Sequence, residues 1–289
     1  MVIVNIIGGL GNQLFQYAFG IYAASLLETE PHFDTQTGAD LKNFTKRNLD
    51  IENFNVNLIH SSPNEIKQIV KFQKGLLWRI ERKLVQKFRV LNNNYIVQKD
   101  AHEVFTKIKD NSYYDGYWQC YSYPNYIRER LLDEITPDES FYNKFSNLIS
   151  RIIDENSVAI HIRRDDYISI KVNSKLFEVC DKQYYEHAMQ IIEKRLNSPK
   201  YFIFTQDKDW AKENFQGENF EFVEGNSGLE DMLLMSLCKN NIIANSTFSW
   251  WSAWLNKNPN KIIIAPLKWY KGKKNLTTNS LIPENWMRI

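Results

Sequence analysis

The sequence predicts an α/β fold whose second half forms a Rossmann-like domain around a parallel sheet. The main observation is a regular alternation, in that half, between short β-branched runs and segments of helical length. A second observation is a strand-like run near the amino end that passes through a glycine turn into a helical stretch. A third is the 43% of hydrophobic residues among 289, enough for one large or two smaller domains.

The first half is the less regular one. Residues 2–7 read as a strand, 12–27 as a helix, 112–119 as a strand and 126–135 as a helix. We therefore expect a smaller α/β domain over residues 1–145, followed by a second domain over residues 146–289.

The second half contains the clearest strands and helices. The predicted strands are residues 157–163, 201–205, 220–223, 241–244 and 261–265. The predicted helices are residues 184–196, 208–215, 229–239 and 249–256. Ligands of such sheets bind beyond the carboxyl ends of the strands, near the point where the strand order reverses. Motifs that start in a strand and end just past it are therefore the candidates for a site.

Composition excludes several classes of protein. The 36 basic and 34 acidic side chains give a net charge of +2, so no global field indicates a nucleic-acid partner. Cys120, Cys180 and Cys238 are widely spaced and do not have the spacing of a zinc site. The longest apolar runs are far shorter than the roughly 20 residues of a membrane-spanning helix. We expect a cytoplasmic protein.

Residues 66–90 read as a basic amphipathic helix, with eight basic side chains and the single acid Glu81. Such a helix can lie on the inner face of the cytoplasmic membrane. The alternative is a solvated helix that packs its apolar side on its own domain.

His161, Arg163 and Arg164 form the first candidate site, at the end of a predicted central strand. Two arginines at a strand end can hold a diphosphate and stabilise it as a leaving group. The alternative is that both arginines form ordinary ion pairs with Asp165, Asp166 or other carboxylates.

A second candidate site is the run Asn245, Ser246, Thr247, Phe248 and Ser249, where a strand leads into hydroxyl residues that open a helix. The amino end of that helix offers N–H groups and hydroxyls to a phosphate, although a capped core helix would have the same sequence. Glu230 and Asp231 open the preceding helix, where a carboxylate can accept hydrogen bonds from a guanine edge or a ribose, or simply favour the helix dipole.

Two further motifs are less specific. The turn with Gly9, Gly11, Asn12 and Gln13 follows a strand and precedes a helix, but it matches neither common glycine pattern for nucleotides. Asp207 and Asp209 form a DxD, the pattern that metal-dependent sugar transferases use to hold a divalent cation. Since the arginines already supply positive charge, we expect no metal.

Four segments resemble bacterial α-1,2-fucosyltransferases of glycosyltransferase family 11. They are residues 8–17 (GGLGNQLFQY), 116–119 (GYWQ), 161–167 (HIRRDDY) and 243–251 (IANSTFSWW). They come in the family's order and span nearly the whole chain. Asp165 stands where the family usually has glycine.

The resemblance implies a fold of GT-B type, with two Rossmann-like domains facing a cleft, and transfer of fucose with inversion, without a metal or other cofactor. GDP-fucose would bind the carboxyl-terminal domain and a galactose-containing acceptor the amino-terminal one. By similarity, His161 and Asp231 would contact guanine, Arg163 and Arg164 the diphosphate, and residues 247–249 the phosphate end.

By the same similarity, Asn12 and Gln13 would face the transfer site. The acceptor would belong to an O-antigen or capsule repeat, on a lipid carrier at the membrane. Asp166 and Asp115 are the candidates for a general base, because each lies beside a motif. Two alternatives remain open: a metal-dependent transferase that uses Asp207 and Asp209, and a protein that binds nucleotide sugars or glycans without turnover.

Overall fold

The computed structural model describes residues 1–37, 48–88, 93–164, 167–168, 171–272 and 278–289. The chain divides into two compact units. The first unit is Met1–Thr136 with Asn279–Leu281, and the second unit is Pro137–Thr278 with Ile282–Ile289. We expected the division at residue 145. The short helix Glu139–Lys144 lies in the second unit, where the ring of Phe141 packs 5.0 Å from that of Phe145.

The first unit contains a four-stranded sheet in which every strand pairing is parallel. Its strands are β1 (Val2–Asn5), β2 (Pro31–Asp34), β3 (Tyr95–Val97) and β4 (Ser112–Asp115), in the order β2-β1-β4-β3. Its helices are α1 (Leu10–Ser25), α2 (Pro63–Ile69), α3 (Gly75–Phe88), α4 (Ser122–Tyr126) and α5 (Arg128–Glu134), with a 3₁₀ turn at Asp50–Asn53.

The single helix predicted over residues 66–90 is wrong, because α2 and α3 are separate helices. The backbone of Val70 leaves the helical conformation after α2. The carboxylate of Glu81 then accepts the N–H groups of Lys71 and Phe72, at 3.1 and 2.9 Å. A side chain ten residues further along thus stabilises the break. Residues 89 and 90 of the predicted helix lie outside the described residues.

The core of the first unit forms where helices pack on the sheet. β1 is fully buried, and α1 buries most of its surface, because apolar residues occupy nearly its whole circumference. Phe19 of α1 stacks on Trp118, with ring centroids 4.1 Å apart. This packing fixes the turn between β1 and α1 relative to the end of β4.

The second unit contains a six-stranded sheet in which every pairing is again parallel. Its strands are β5 (Ser157–Ile162), β6 (Lys200–Thr205), β7 (Phe220–Phe222), β8 (Asn240–Ile242), β9 (Ile263–Ala265) and β10 (Met287–Arg288), in the order β10-β9-β8-β5-β6-β7. The five predicted strands of this half are present. The sixth strand, β10, was not predicted, because two residues are too few to show a strand pattern in the sequence.

Helices connect these strands. They are α6 (Glu139–Lys144), α7 (Ser146–Asp154), α8 (Lys171–Leu176), α9 (Lys182–Glu193), α10 (Lys208–Asn214), α11 (Gly228–Leu237) and α12 (Thr247–Leu255). The strand order runs outward in one direction through β5, β6 and β7 and in the other through β8, β9 and β10. The order therefore reverses between β5 and β8, the point where Rossmann-like sheets bind ligands.

No helix among the described residues is long and apolar enough to cross a membrane.

Candidate functional site

The arginine motif and the hydroxyl motif lie side by side at this reversal point. β5 pairs directly with β8, with Ile160 opposite Ile242. Because the strands are parallel, both end at the same edge of the sheet. β5 ends just before Arg163 and Arg164, while β8 leads through Asn245 into α12. The structure thus brings to one edge of the sheet the two motifs that the sequence predicts to bind an anion.

Arg164 is held in place by two side chains at the start of α10. Its guanidinium carbon lies 4.1 Å from the ring centroid of Trp210. Its Nε donates to Asp207 Oδ2 at 3.2 Å. The Arg164 guanidinium makes no other hydrogen bond with the described part of the chain, so its two Nη groups are available to a ligand. One edge of the guanidinium therefore forms an ordinary ion pair with Asp207, as the alternative interpretation of the sequence expected of a carboxylate partner. The other edge can bind an anion.

Asp207 has two structural partners. Besides Arg164, its carboxylate accepts a hydrogen bond from the backbone N–H of Trp210 at 3.4 Å and so caps α10. Asp209 is exposed in the first turn of that helix. Within the described ranges, no group of three or more His, Cys, Asp or Glu side chains is placed to hold a metal ion.

Arg163 and His161 lie near the hydroxyl motif. The Arg163 guanidinium carbon is 5.8 Å from the ring centroid of Tyr167, whose hydroxyl donates to the carbonyl of Asn245. The His161 ring lies 5.3 Å from that of Phe248. Burial, with the charge of Arg163, lowers the pKa of His161 to about 3. His161 is therefore a neutral imidazole near pH 7, and its buried Nδ1 has no partner among the described atoms.

Asn245 has a structural position rather than a ligand-facing one. Its side chain is fully buried, and its Nδ2 donates to the carbonyls of Glu178 and Trp269, at 2.7 and 2.8 Å. These bonds join three loops beneath the amino end of α12. We expected Asn245 to contact the donor, but its side chain positions the loop that would do so.

The three hydroxyl side chains at the amino end of α12, those of Ser246, Thr247 and Ser249, have different positions. Ser246 caps the helix, and its Oγ accepts the N–H of Phe248 at 3.3 Å. Ser249 is fully buried and bonds to the carbonyls of Ala244 and Ser246. The predicted role of the Ser249 side chain at the phosphate is thus not compatible with this burial. Thr247 and Phe248 are the half-exposed members of the motif.

Asp231 lies near the same edge, in the first turn of α11. A Cβ added to Gly228, in that turn, would lie 3.8 Å from the Phe248 ring. Asn226 donates to Asp231 Oδ1 at 3.1 Å. Burial, with the nearby charge of Glu230, raises the pKa of Asp231 from 3.8 to about 6. A ligand that donates hydrogen bonds to such a half-buried carboxylate would stabilise its charged form.

The glycine turn of the first unit is built around buried glutamines. Gln13 donates to the carbonyls of Gly8 and Asn48 and accepts the N–H of Ile51, all within 3.0 Å. Its side chain is only 2% exposed. The expectation that Gln13 faces the transfer site is therefore wrong for the structure as it stands, because its amide is fully used in holding the turn.

Gly9 and Asn12 are the accessible members of this turn. Gly9 begins α1 without a side-chain cap, and a Cβ placed on it would meet no described atom within 4 Å. Asn12 is half-buried, and its Oδ1 accepts a hydrogen bond from Gln119 at 2.9 Å. Gly11 is buried inside the first turn of the helix. The open side of the turn is thus at Gly9 and Asn12.

Of the two candidate bases, Asp115 is fully buried at the end of β4. Arg82 binds both of its oxygens, at 2.8 and 3.1 Å, and the Tyr95 hydroxyl donates to one of them at 3.0 Å. These contacts are those of a structural carboxylate. Asp166 lies outside the described residues.

Sequence reasoning missed the contacts that hold the candidate site in place, including the role of Asp207, which it had considered as a metal ligand. Trp210 and Asp207 support Arg164, and Tyr167 connects Arg163 to the loop before α12. Tyr167 stands inside the arginine motif and could have been considered. The pairing of Arg164 with Trp210, 46 positions away in sequence, left no local signal.

The model of the family described as "Glycosyl transferase family 11" matches residues 1–289. The chain is 32% identical to an alpha-1,2-colitosyltransferase of Escherichia coli, over 100% of this chain and 99% of the relative. It is 33% identical to the O-antigen biosynthesis glycosyltransferase WbnK of Escherichia coli, over 95% of this chain and 97% of the relative. Galactoside alpha-(1,2)-fucosyltransferase 2 of Rattus norvegicus is 24% identical over 49% of this chain and 43% of the relative.

A solved structure of a substituted FUT1 from Arabidopsis thaliana, in complex with GDP, is similar with a TM-score of 0.51. The identity is 12%, over 94% of this chain and 71% of that one, so this likeness concerns the fold. Together with the two parallel sheets, it confirms the predicted α/β fold of GT-B type.

Proposed function

Because this chain belongs to glycosyl transferase family 11, and so is a glycosyltransferase, we propose that it transfers fucose from GDP-fucose to a galactose hydroxyl of a glycan, forming an α-1,2 linkage. The observation that carries the proposal is the meeting of two anion-binding elements where β5 and β8 end. The resemblance of residues 161–167 and 243–251 to α-1,2-fucosyltransferases supports fucose as the sugar.

The second unit would bind the nucleotide. Asp231 would accept hydrogen bonds from the guanine edge, which presents two adjacent donors, while the neutral His161 would contact the base beside Phe248. Arg163, Arg164 and the amino end of α12 would hold the diphosphate. The half-exposed Thr247 would supply a hydroxyl there.

The reaction would be a single displacement with inversion. The acceptor oxygen bonds to the anomeric carbon as the bond from that carbon to the β-phosphate oxygen breaks, and GDP leaves with the electron pair. Negative charge grows on the β-phosphate in the transition state, so an arginine there stabilises that state more than the ground state. The hydroxyl proton passes to water or to a carboxylate. The buried ion pair of Asp115 argues against that residue as the acceptor of the proton.

Colitose is the second candidate sugar, because a colitosyltransferase is 32% identical over the whole chain. Colitose is a fucose that lacks the hydroxyl at carbon 3. A site built to hydrogen-bond that hydroxyl would reject colitose strongly, whereas a site that merely has room for it would discriminate weakly. Competition between GDP-fucose and GDP-colitose for the same acceptor decides between the two donors.

We further propose that the acceptor is a galactose-containing O-antigen or capsule repeat on a lipid carrier. The name of the relative WbnK, which refers to O-antigen biosynthesis, supports the O-antigen part of this proposal. The enzyme would then act on the cytoplasmic side of the inner membrane. Mass spectrometry of the product, with linkage analysis after incubation with free and lipid-linked repeats, tests the acceptor. Transfer only to a sugar other than galactose would exclude this acceptor class.

A further inference from the structure

The helix α3 (Gly75–Phe88) exposes a continuous apolar stripe. Five of the twelve large hydrophobic side chains that are exposed in the described part of the chain lie on this helix: Leu76, Leu77, Ile80, Leu84 and Phe88. Each is between 39% and 71% exposed. At roughly 100° of rotation per residue, they cover about 120° of the helix circumference. Exposed apolar residues this concentrated indicate a binding surface.

One edge of the stripe is basic. Arg79, Lys83 and Lys87 follow one another at the four-residue spacing of a helix face, and all three are exposed. None of the three forms an ion pair with any residue that the structure describes. The single acid of the helix, Glu81, is occupied by the N–H groups of Lys71 and Phe72.

The opposite side of the helix is firmly attached to the first unit. Trp78 and Val85 are 2% exposed and pack in a cluster with Tyr95 of β3. Arg82 makes its bidentate ion pair with the buried Asp115. The stripe therefore belongs to a helix that is already folded and cannot turn its apolar side inward.

We propose that α3 is a membrane-surface helix, which lies in the plane of an anionic bilayer. The stripe would enter the boundary between headgroups and acyl chains, and Arg79, Lys83 and Lys87 would bind lipid phosphates. The basic edge favours this occupant over a second copy of the chain. Two copies packed stripe to stripe would bring both basic rows to one interface, while Glu81, the single acid of α3, is already occupied by backbone N–H groups.

This surface lies on the first unit, to which the resemblance to family 11 assigns the acceptor. If the acceptor is lipid-linked, α3 would hold the first unit at the surface where that substrate is found. That consequence rests on the proposed function, whereas binding of α3 to a bilayer does not. A failure of either idea can therefore be recognised separately.

The test is flotation of the full-length protein with vesicles of phosphatidylethanolamine and phosphatidylglycerol, compared with vesicles of phosphatidylcholine alone. We expect the protein to float with the anionic vesicles and to be released by high salt. The triple variant Leu76→Gln, Ile80→Gln, Leu84→Gln should lose flotation. Each of Arg79→Gln, Lys83→Gln and Lys87→Gln should weaken the affinity about fivefold. Arg82 is left unchanged, because its ion pair is structural.

Two controls match these variants. Val104→Gln with Ile153→Gln removes exposed apolar side chains elsewhere. Arg151→Gln, Lys182→Gln and Lys212→Gln remove three cations that are already paired with Glu221, Glu186 and Glu224. Both controls should float like the wild type, and circular dichroism should show that every variant is folded.

Three results would overturn the proposal. The first is that the protein does not float with anionic vesicles, and the second is that the triple apolar variant floats as the wild type does. The third is a dimer, seen by sedimentation, that dissociates in the triple variant while vesicles are not bound, which would assign the stripe to a second copy of the chain.

Discussion

The Arg164 guanidinium stacks on the Trp210 ring, with its central carbon 4.1 Å from the ring centroid. Asp207 binds its Nε from the side, so the arginine is fixed before any ligand arrives. A preorganised cation costs little reorganisation when charge develops on a leaving group. The role of Arg164 can therefore be tested both by substituting it and by substituting the side chains that hold it, Trp210 and Asp207.

Arg164→Lys should lower kcat about a hundredfold, because an ammonium neither stacks on Trp210 nor presents a guanidinium fork. Release of GDP at saturating donor measures this effect. Arg151→Lys, an exposed arginine paired with Glu221, is the control and should behave like the wild type. An unchanged kcat in Arg164→Lys would remove this arginine from the proposed mechanism.

Asp207→Asn separates the arginine-supporting role from the metal-binding role of a DxD motif. Asn remains a good helix cap, so α10 should keep its stability. We expect a loss in kcat of a few fold, through weaker support of Arg164, and the same activity with and without EDTA. Asp209→Asn should have no effect. Loss of all activity in both variants, together with inhibition of the wild type by EDTA, would instead favour the metal-dependent transferase.

Asp231 should make GDP binding dependent on pH. Guanine donors favour the carboxylate form, so the affinity should fall as the pH drops through about 6, the raised pKa of Asp231. Calorimetric titrations with GDP and with inosine diphosphate, which lacks the 2-amino donor, measure the contact. Asp231→Asn should abolish most of the preference for GDP and flatten the pH profile. A preference that survives unaltered would place the guanine elsewhere.

The stability of the folded protein should depend on the ionisation of Asp231 in the opposite direction to GDP affinity. Because its pKa is raised in the folded state, folding is favoured while Asp231 is protonated, and this contribution is lost as the pH rises from about 4 through 6. Without ligand, Asp231→Asn should therefore raise the unfolding temperature at pH 8 more than at pH 5. A larger gain at the lower pH would contradict the raised pKa.

Gly9→Ala tests whether a ligand approaches the turn before α1. Gly9 has φ −79°, and a methyl group there meets no described atom within 4 Å, so the unfolding temperature should hardly change. Transfer should nevertheless fall at least tenfold if the substrate occupies that space. Gly8→Ala is the contrasting variant. Gly8 has φ +86°, and its Cβ would lie 2.9 Å from Asn12, so the variant should lose about 1 kcal/mol or more of stability.

Much of the second unit could be predicted because its elements are local. Apart from β10, the strands lie in short apolar runs, and the parallel connections place Arg163 and the hydroxyl motif at one edge without knowledge of distant contacts. The roles of Gln13 and Asn245 could not be predicted in this way. Their amides bond to carbonyls of Asn48 and Trp269, and such pairings across loops have no signature in sequence.

The break between α2 and α3 had the same kind of origin. The sequence of residues 66–90 keeps a helical period throughout, but Glu81 accepts N–H groups ten and nine residues earlier and stabilises a turn there. Likewise, Asp115 beside the GYWQ motif suggested a base, while its partner Arg82 lies 33 residues away. Tertiary contacts of this kind override local preference.

The most direct test of the proposed function is a donor assay with the purified protein. GDP-fucose, GDP-colitose and other nucleotide sugars would be offered with a panel of galactosides in EDTA, and release of GDP would be followed together with the linkage in the product. The account predicts acceptor-dependent release from GDP-fucose, an α-1,2 product and collapse of the rate in Arg163→Ala or Arg164→Ala. Transfer from a different nucleotide sugar alone, or activity that needs a divalent cation, would contradict it.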